Sequence, residues 1–72
     1  KDWKLEVEGV VEAVGDGTIT VAGQVIQVNA LTRLDGFTSL ENFFAVALGK
    51  DVEVKGLTQN GVAIALKVEL DD

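Results

Sequence analysis

The chain has 72 residues and contains no cysteine and no histidine, so it can form neither a disulfide framework nor a thiolate or imidazole metal site. Its formal net charge of −6 disfavours a polyanionic partner, because lysine and arginine contacts supply most non-specific nucleic-acid affinity. Its apolar runs are all shorter than the roughly 20 residues of a membrane-spanning helix, so we expect no membrane insertion. We predict one folded domain, residues 1–72, and the start at Lys1 suggests a fragment of a longer protein.

The N-terminal segment has the pattern of a half-buried β-strand. Apolar and charged residues alternate from Trp3 to Glu8, which places them on opposite faces. Gly9 interrupts this alternation, and residues 10–14 continue with apolar side chains on both faces. Because glycine tolerates the bend that barrel closure demands, we predict one long first strand that crosses from one side of a barrel to the other.

A β-hairpin is predicted next. A turn at residues 15–17 leads into a short β-branched strand at residues 18–21, and Ala22 and Gly23 form a two-residue turn into a third strand. This register gives one core face and one solvent face. The predicted core face comprises Ile19, Val21, Ile26 and Val28, and the predicted outer face comprises Thr18, Thr20, Val25 and Gln27.

Helical periodicity begins after the Asp-Gly turn at residues 35–36. Thr38 or Ser39 is the predicted cap, with Glu41 completing a capping box with Thr38, and Gly49 suits the position after the last turn. A helix of about ten residues is marginal alone, so we expect it to dock on the sheet. Its predicted apolar stripe comprises Leu40, Phe43, Phe44, Ala47 and Leu48.

Residues 51–70 predict two final strands joined by an Asn-Gly turn, the strongest hairpin signal in the chain. Regular pairing from that turn would place Lys55 opposite the apolar Leu66. One extra residue at Gly56 would bring Val54 opposite Leu66 instead, so we predict a bulge at Gly56.

These elements predict a mainly β fold. Three strands, a helix and two strands indicate a five-stranded antiparallel OB-type barrel with one short helix between strands 3 and 4, plugging one end. A small open sheet with the helix across one face is the alternative.

Five segments carry a resemblance to a known family. They are GVVEAV at 9–14, GTITV at 17–21, TRL at 32–34, LGKDVEVKG at 48–56 and AIALKVE at 63–69. The chain resembles a bacterial family of small OB-like domains of uncharacterised function. The resemblance implies an OB-like fold and an exported or cell-envelope setting, and it brings no catalytic residue. Lys50 is a departure, since the family pattern runs directly from glycine to aspartate.

The residues available for chemistry are few. Without histidine, cysteine or tyrosine, only carboxylates, lysine and hydroxyls could act as catalytic groups. Glu6 and Glu8 lie on the same strand face. Exposure of that face to solvent explains the two carboxylates better than a role as a catalytic pair does. Asp16 and, separately, Glu69, Asp71 and Asp72 lack the spacing of a calcium loop. We therefore expect no enzyme activity, no cofactor and no metal.

The predicted outer face of strands 2 and 3 lacks the residues that OB folds use to bind oligonucleotides. OB folds bind oligonucleotides there with aromatic platforms in a basic groove, whereas Thr18, Thr20, Val25 and Gln27 include no aromatic residue and no cation. The aromatic residues are expected in the core instead.

Two function classes remain. We expect a non-catalytic structural or protein-interaction module of an exported or cell-envelope bacterial protein. The alternative is an OB-type domain that binds an uncharged saccharide or, less favoured, single-stranded nucleic acid. A protein or neighbouring domain is the favoured partner, and the candidate partner face is Thr18, Thr20, Val25 and Gln27 with the loops at Asp16 and Asn60.

Overall fold

The computed structural model describes residues 3–71. These residues form six strands and one helix. In chain order the elements are β1 (Leu5–Gly15), β2 (Thr18–Val21), β3 (Gln24–Gln27), β4 (Arg33–Asp35), α1 (Leu40–Val46), β5 (Asp51–Gln59) and β6 (Val62–Leu70).

Five strands close into a barrel in the order β1–β2–β3–β6–β5. The prediction of a mainly β barrel with one short helix is confirmed, but the all-antiparallel arrangement is wrong, because β3 and β4 both run parallel to β6. The reason is geometric. In a closed ring of five strands, an odd number, neighbours cannot all reverse direction, so one pair has to be parallel. Here that pair is β3 and β6.

The short β4 lies between β3 and the helix, so the predicted helix position between strands 3 and 4 is also wrong. This strand has three residues, too few to show a period-2 pattern. A tight turn directs the chain into it: the buried Thr32 hydroxyl donates to the Ala65 carbonyl at 2.7 Å and accepts from the Asn29 N–H at 3.0 Å. That hydroxyl holds the start of β4 against β6.

The long first strand is confirmed. Its first half pairs with β5 as far as Val10, and from Val11 onward it pairs with β2, so the strand changes partner shortly after Gly9, between Val10 and Val11. A bulge at Glu12, which the sequence did not predict, shifts the register with β2. The strand begins at Leu5, so Trp3, predicted within the strand and the core, instead precedes it and is partly exposed.

The β2–β3 hairpin has the predicted register, with Val21 opposite Gln24 and Ile19 opposite Ile26. Ala22 and Gly23 both have positive φ, the conformation of a type I′ turn that suits the strand twist. The four residues predicted for its core face are all buried, with 2% exposure or less.

The helix is shorter than predicted, at seven residues. Ser39 is the N-cap and accepts from the Asn42 N–H at 3.0 Å, while the Asn42 side chain accepts from the Thr38 N–H, so Asn42 rather than Glu41 completes the reciprocal cap. Phe43 is fully buried, as predicted. Leu48, predicted on the apolar stripe, lies beyond the helix and is 63% exposed.

The β5–β6 pair does contain a bulge at Gly56, but the extra residue is on the other strand. Lys55 pairs with Lys67 and Gly56 pairs with Ala65, which leaves Leu66 as the bulged residue. Val54 therefore faces Val68 rather than Leu66. The two strands approach each other closely at Gly56, where a Cβ would overlap the Ile64 carbonyl oxygen. Because glycine permits this tight pairing, the extra residue is on β6, where the Leu66 side chain turns outward.

The core fills the barrel interior and extends beneath the helix. Phe43 lies at its helical end and contacts Phe37 and Phe44 edge-to-face, with ring centroids 4.8 Å and 5.2 Å away. The buried hydrophobic residues are Leu5, Val7, Val11, Ile19, Val21, Ile26, Val28, Phe43, Ala47, Val52, Val54, Ala65 and Val68.

Candidate functional site

The four residues of the predicted partner face lie together on the outer surface of the β2–β3 hairpin. Thr18 is directly opposite Gln27, and Thr20 is directly opposite Val25, so each pair shares the solvent side of the sheet. Val25 is 61% exposed. The structure therefore assembles the face that the hairpin register predicted.

Strand β6 extends this surface in a way that the sequence analysis missed. The parallel pairing places Ile64 beside Gln27, and Leu57 of β5 lies opposite Ile64. Val62 at the start of β6 is also exposed. We call the combined surface the uncharged face, and it comprises Thr18, Thr20, Val25, Gln27, Leu57, Val62 and Ile64.

The name follows from the distribution of charge along the chain. Residues 13–32 contain only one charged residue, Asp16, and residues 56–66 contain none. Barrel closure brings these two segments side by side. The missing charge was a visible signal in the sequence, but their contact required the closing pair β3–β6.

The two loops predicted to rim the face lie at its opposite ends. The turn containing Asp16 joins Gly15 to Thr18, and the Val28 N–H donates to the Gly17 carbonyl at 3.0 Å. The turn at Asn60 precedes Val62 at the other end, with positive φ at Asn60 and Gly61. These tight turns hold the edges of the face in place.

A second surface, formed by β1, β5, β6 and β4, carries rows of charged residues, and we call it the charged face. One row across four strands is acidic: Glu8 is opposite Glu53, Glu53 is opposite Glu69, and Glu69 is opposite Asp35. The next row consists of Glu6, Lys55, Lys67 and Arg33, again each opposite the next. The charged face thus places a mainly basic row, which begins with Glu6, beside an acidic row.

Ion pairs connect the two rows. The Lys67 Nζ lies 3.8 Å from Asp35 Oδ2 and 3.8 Å from Glu69 Oε1, and the Arg33 Nε lies 3.2 Å from Asp35 Oδ1. All of these side chains are at least partly exposed, so the pairs fix side-chain positions more than they stabilise the fold.

Glu8 lies at the acidic end of this surface, where charge is least compensated. A hydrogen bond with the Asp71 carboxyl raises the pKa of Glu8, and the negative charges of Asp71 and Glu53 raise it further. Glu6 and Glu8 are both exposed on one strand face, as predicted. Within residues 3–71 no group of carboxylates has the geometry of a metal site, and Asp72 lies outside the described residues.

One known family matches most of the chain. The family described as Domain of unknown function (DUF5666) matches residues 8–69. The chain belongs to this family. The match spans the barrel from the middle of β1 to the end of β6 and therefore includes all of the uncharged face.

No curated protein and no solved structure matches the chain. The part of the chain that the structure describes has no helix with both the length and the apolar character needed to cross a membrane. The arrangement of the uncharged and charged faces therefore remains as the feature that indicates a function.

Proposed function

We propose that this domain is a non-catalytic protein-interaction module that binds its partner through the uncharged face. One observation carries the proposal: a chain with net charge −6 keeps one continuous outer surface free of charge. Burying such a surface removes few strongly hydrated groups from water, so a protein partner can cover it at low desolvation cost.

Val25 is the proposed anchor of this contact. It is the most exposed apolar side chain of the uncharged face, and it lies opposite Thr20 in the middle of the hairpin. Val25 immediately precedes Ile26, and Val62 immediately precedes Ala63. Ile26 and Ala63 pair with each other where β3 closes on β6. A branched apolar residue on a rigid hairpin loses little conformational entropy when it is buried.

We also propose that the barrel is of the OB type and that the domain belongs to an exported bacterial protein, as the resemblance implies. The OB-type assignment is supported by the strand order, in which β1 is shared between β5 and β2 and the barrel closes between β3 and β6. In OB folds the face of the second and third strands is a common binding surface. The uncharged face lies on that part of the barrel.

The alternative function is binding of an uncharged saccharide. The hydroxyls of Thr18 and Thr20 and the amide of Gln27 favour it, since these groups hydrogen-bond sugar hydroxyls. Three of the four aromatic rings that could stack on a sugar or a nucleobase, Phe37, Phe43 and Phe44, cluster at the helix instead. This placement favours a protein partner over both a saccharide and single-stranded nucleic acid.

The test is site-specific photo-crosslinking in the source cells. A crosslinking amino acid at position 25 should capture a discrete protein, and the same amino acid at position 53, on the charged face, is the matched control. The captured protein is then purified and titrated against three forms: the parent, Val25→Thr and Val25→Glu. We expect Val25→Thr to bind nearly as well as the parent and Val25→Glu to bind at least about tenfold more weakly, because it buries an unpaired charge.

Equal capture from positions 25 and 53, or equal affinity of the parent and Val25→Glu, would contradict the protein-binding face. Chemical-shift titration with neutral oligosaccharides and with a short single-stranded oligonucleotide tests the alternatives. Saturable shifts of Thr18, Thr20 and Gln27 with either probe would favour that ligand over a protein.

A further inference from the structure

The first half of β1 is an edge strand. Residues 5–9 pair with β5 on one side, whereas pairing with β2 begins only at Val11. No strand within residues 3–71 pairs with residues 5–9 on the opposite side. We call this five-residue segment the β1 edge. A sheet edge with unpaired main-chain groups is a template for an additional strand.

The register identifies the main-chain groups that are available. In an antiparallel pair, every second residue directs its N–H and C=O toward its partner. The Val11 N–H donates to the Lys50 carbonyl at 2.8 Å, and the same alternation carried down β1 directs Gly9 and Val7 toward β5. The main chain of Glu6 and Glu8 therefore points to the free side, where it can pair with an incoming strand.

The side chains at this edge define the chemistry of that strand. Glu6 and Glu8 are exposed on the outer face, and Glu8 lies beside the acidic Glu53 of β5. An added strand would place alternate side chains directly next to Glu6 and Glu8, within the distance at which cross-strand charges interact. Lysine or arginine at those positions is complementary, whereas an acidic residue is repelled.

The same charges disfavour a second copy of the chain as the occupant. In an antiparallel pairing of two β1 edges centred on Val7, Glu6 of each copy would lie opposite Glu8 of the other. Like charges directly opposite each other destabilise a strand pair. The edge is thus protected against self-pairing and remains complementary to a basic strand.

We propose that the β1 edge receives an extended segment of a partner protein, with lysine or arginine at alternate positions, as an added β-strand. The main-chain groups of Glu6 and Glu8 supply the hydrogen bonds, and their carboxylates select the basic residues. This surface is separate from the uncharged face, so the two contacts can be tested independently.

The probe is a capped heptapeptide of alternating threonine and lysine, titrated by NMR against the parent domain. We expect saturable shifts and slowed hydrogen exchange at the amides of Glu6 and Glu8. A second peptide has the same sequence but carries N-methyl groups on its internal main-chain amides, which removes the donors that would face Glu6 and Glu8. We expect it to bind at least about tenfold more weakly, because it cannot complete the ladder.

Charge-matched variants complete the design. Glu6→Gln/Glu8→Gln should weaken binding of the lysine peptide, whereas Glu12→Gln/Glu41→Gln removes the same charge at exposed positions elsewhere and should leave it unchanged. Equal affinity of the N-methylated peptide, or shifts without amide protection at the β1 edge, would show simple electrostatic attraction and overturn the proposal. Lack of binding by the lysine peptide would also overturn it.

Discussion

The charged and uncharged faces belong to the same barrel and cover the same core, yet their outer surfaces differ. Inside, both are lined by buried branched residues such as Ile26 beneath one face and Val54 beneath the other. Outside, Lys55 and Lys67 form the last charged pair, and the next outward-facing pair, Leu57 and Ile64, begins the uncharged stretch. The β5–β6 bulge lies at this boundary.

This difference separates the residues that stabilise the fold from those that form its outer surface. The ion pairs of the charged face are exposed, and such pairs contribute only about 0 to 1 kcal/mol each. Buried side chains contribute more, and they are of the same type under both faces. Stability should therefore depend on core positions and on the boundary, and little on the outer charges.

The largest expected effect is at the core that both faces share. Phe43→Ala removes a fully buried ring that contacts Phe37 and Phe44, and we expect it to lower the free energy of unfolding by about 3 kcal/mol. Phe44→Ala is the matched control and should cost less, because Phe44 is only partly buried. Urea unfolding of both variants measures the difference. An unchanged midpoint in Phe43→Ala would show that the helix does not dock.

The second effect tests the boundary between the faces. Gly56→Ala would drive a Cβ into the Ile64 carbonyl and should destabilise the fold by about 2 kcal/mol, because main-chain atoms cannot move aside as a flexible side chain can. Lys55→Ala, one residue earlier, is the control and should change stability by less than about 0.5 kcal/mol. Equal unfolding midpoints for the two variants would contradict the tight pairing at the bulge.

The smallest effect concerns the charged face. Because the pKa of Glu8 is raised, the folded state holds the proton more tightly than the unfolded chain, and stability rises as pH falls from above that raised pKa toward the ordinary value of 4.5. Glu8→Gln should flatten this dependence and increase stability at neutral pH. Urea unfolding across this pH window checks it, with Glu41→Gln as control. A pH profile identical to the parent's would show that Glu8 is not repelled by its neighbours.

Much of the local structure follows from the sequence. The β2–β3 register was correctly predicted because a two-residue turn and a period of 2 together leave only one way to bury Ile19 and Ile26. The outer face of this hairpin follows from the same register, since Thr18 and Val25 occupy the alternate positions. The bulge was placed correctly along β5, because regular pairing would have left apolar residues opposite lysines.

The predictions of the bulged strand and of the helix cap were wrong because neighbouring residues along the chain do not determine either feature. A bulge can place its extra residue on either strand, and only the contact between position 56 and the Ile64 carbonyl selects Leu66. The sequence contains hydroxyl and amide groups at several helix-start positions, and only the folded loop directs Asn42 rather than Glu41 to the cap.

The sequence by itself determined the five barrel strands, the tight turns, the apolar core and the two uncharged segments, because each depends on neighbouring residues and on side-chain alternation. The tertiary structure decided how distant segments meet: the parallel closure of β3 on β6, the three-residue β4, and the joining of Val25 with Ile64 and Leu57 on one surface. These contacts depend on the number and direction of strands in a closed ring. Hydrophobic periodicity within one strand does not specify that closure.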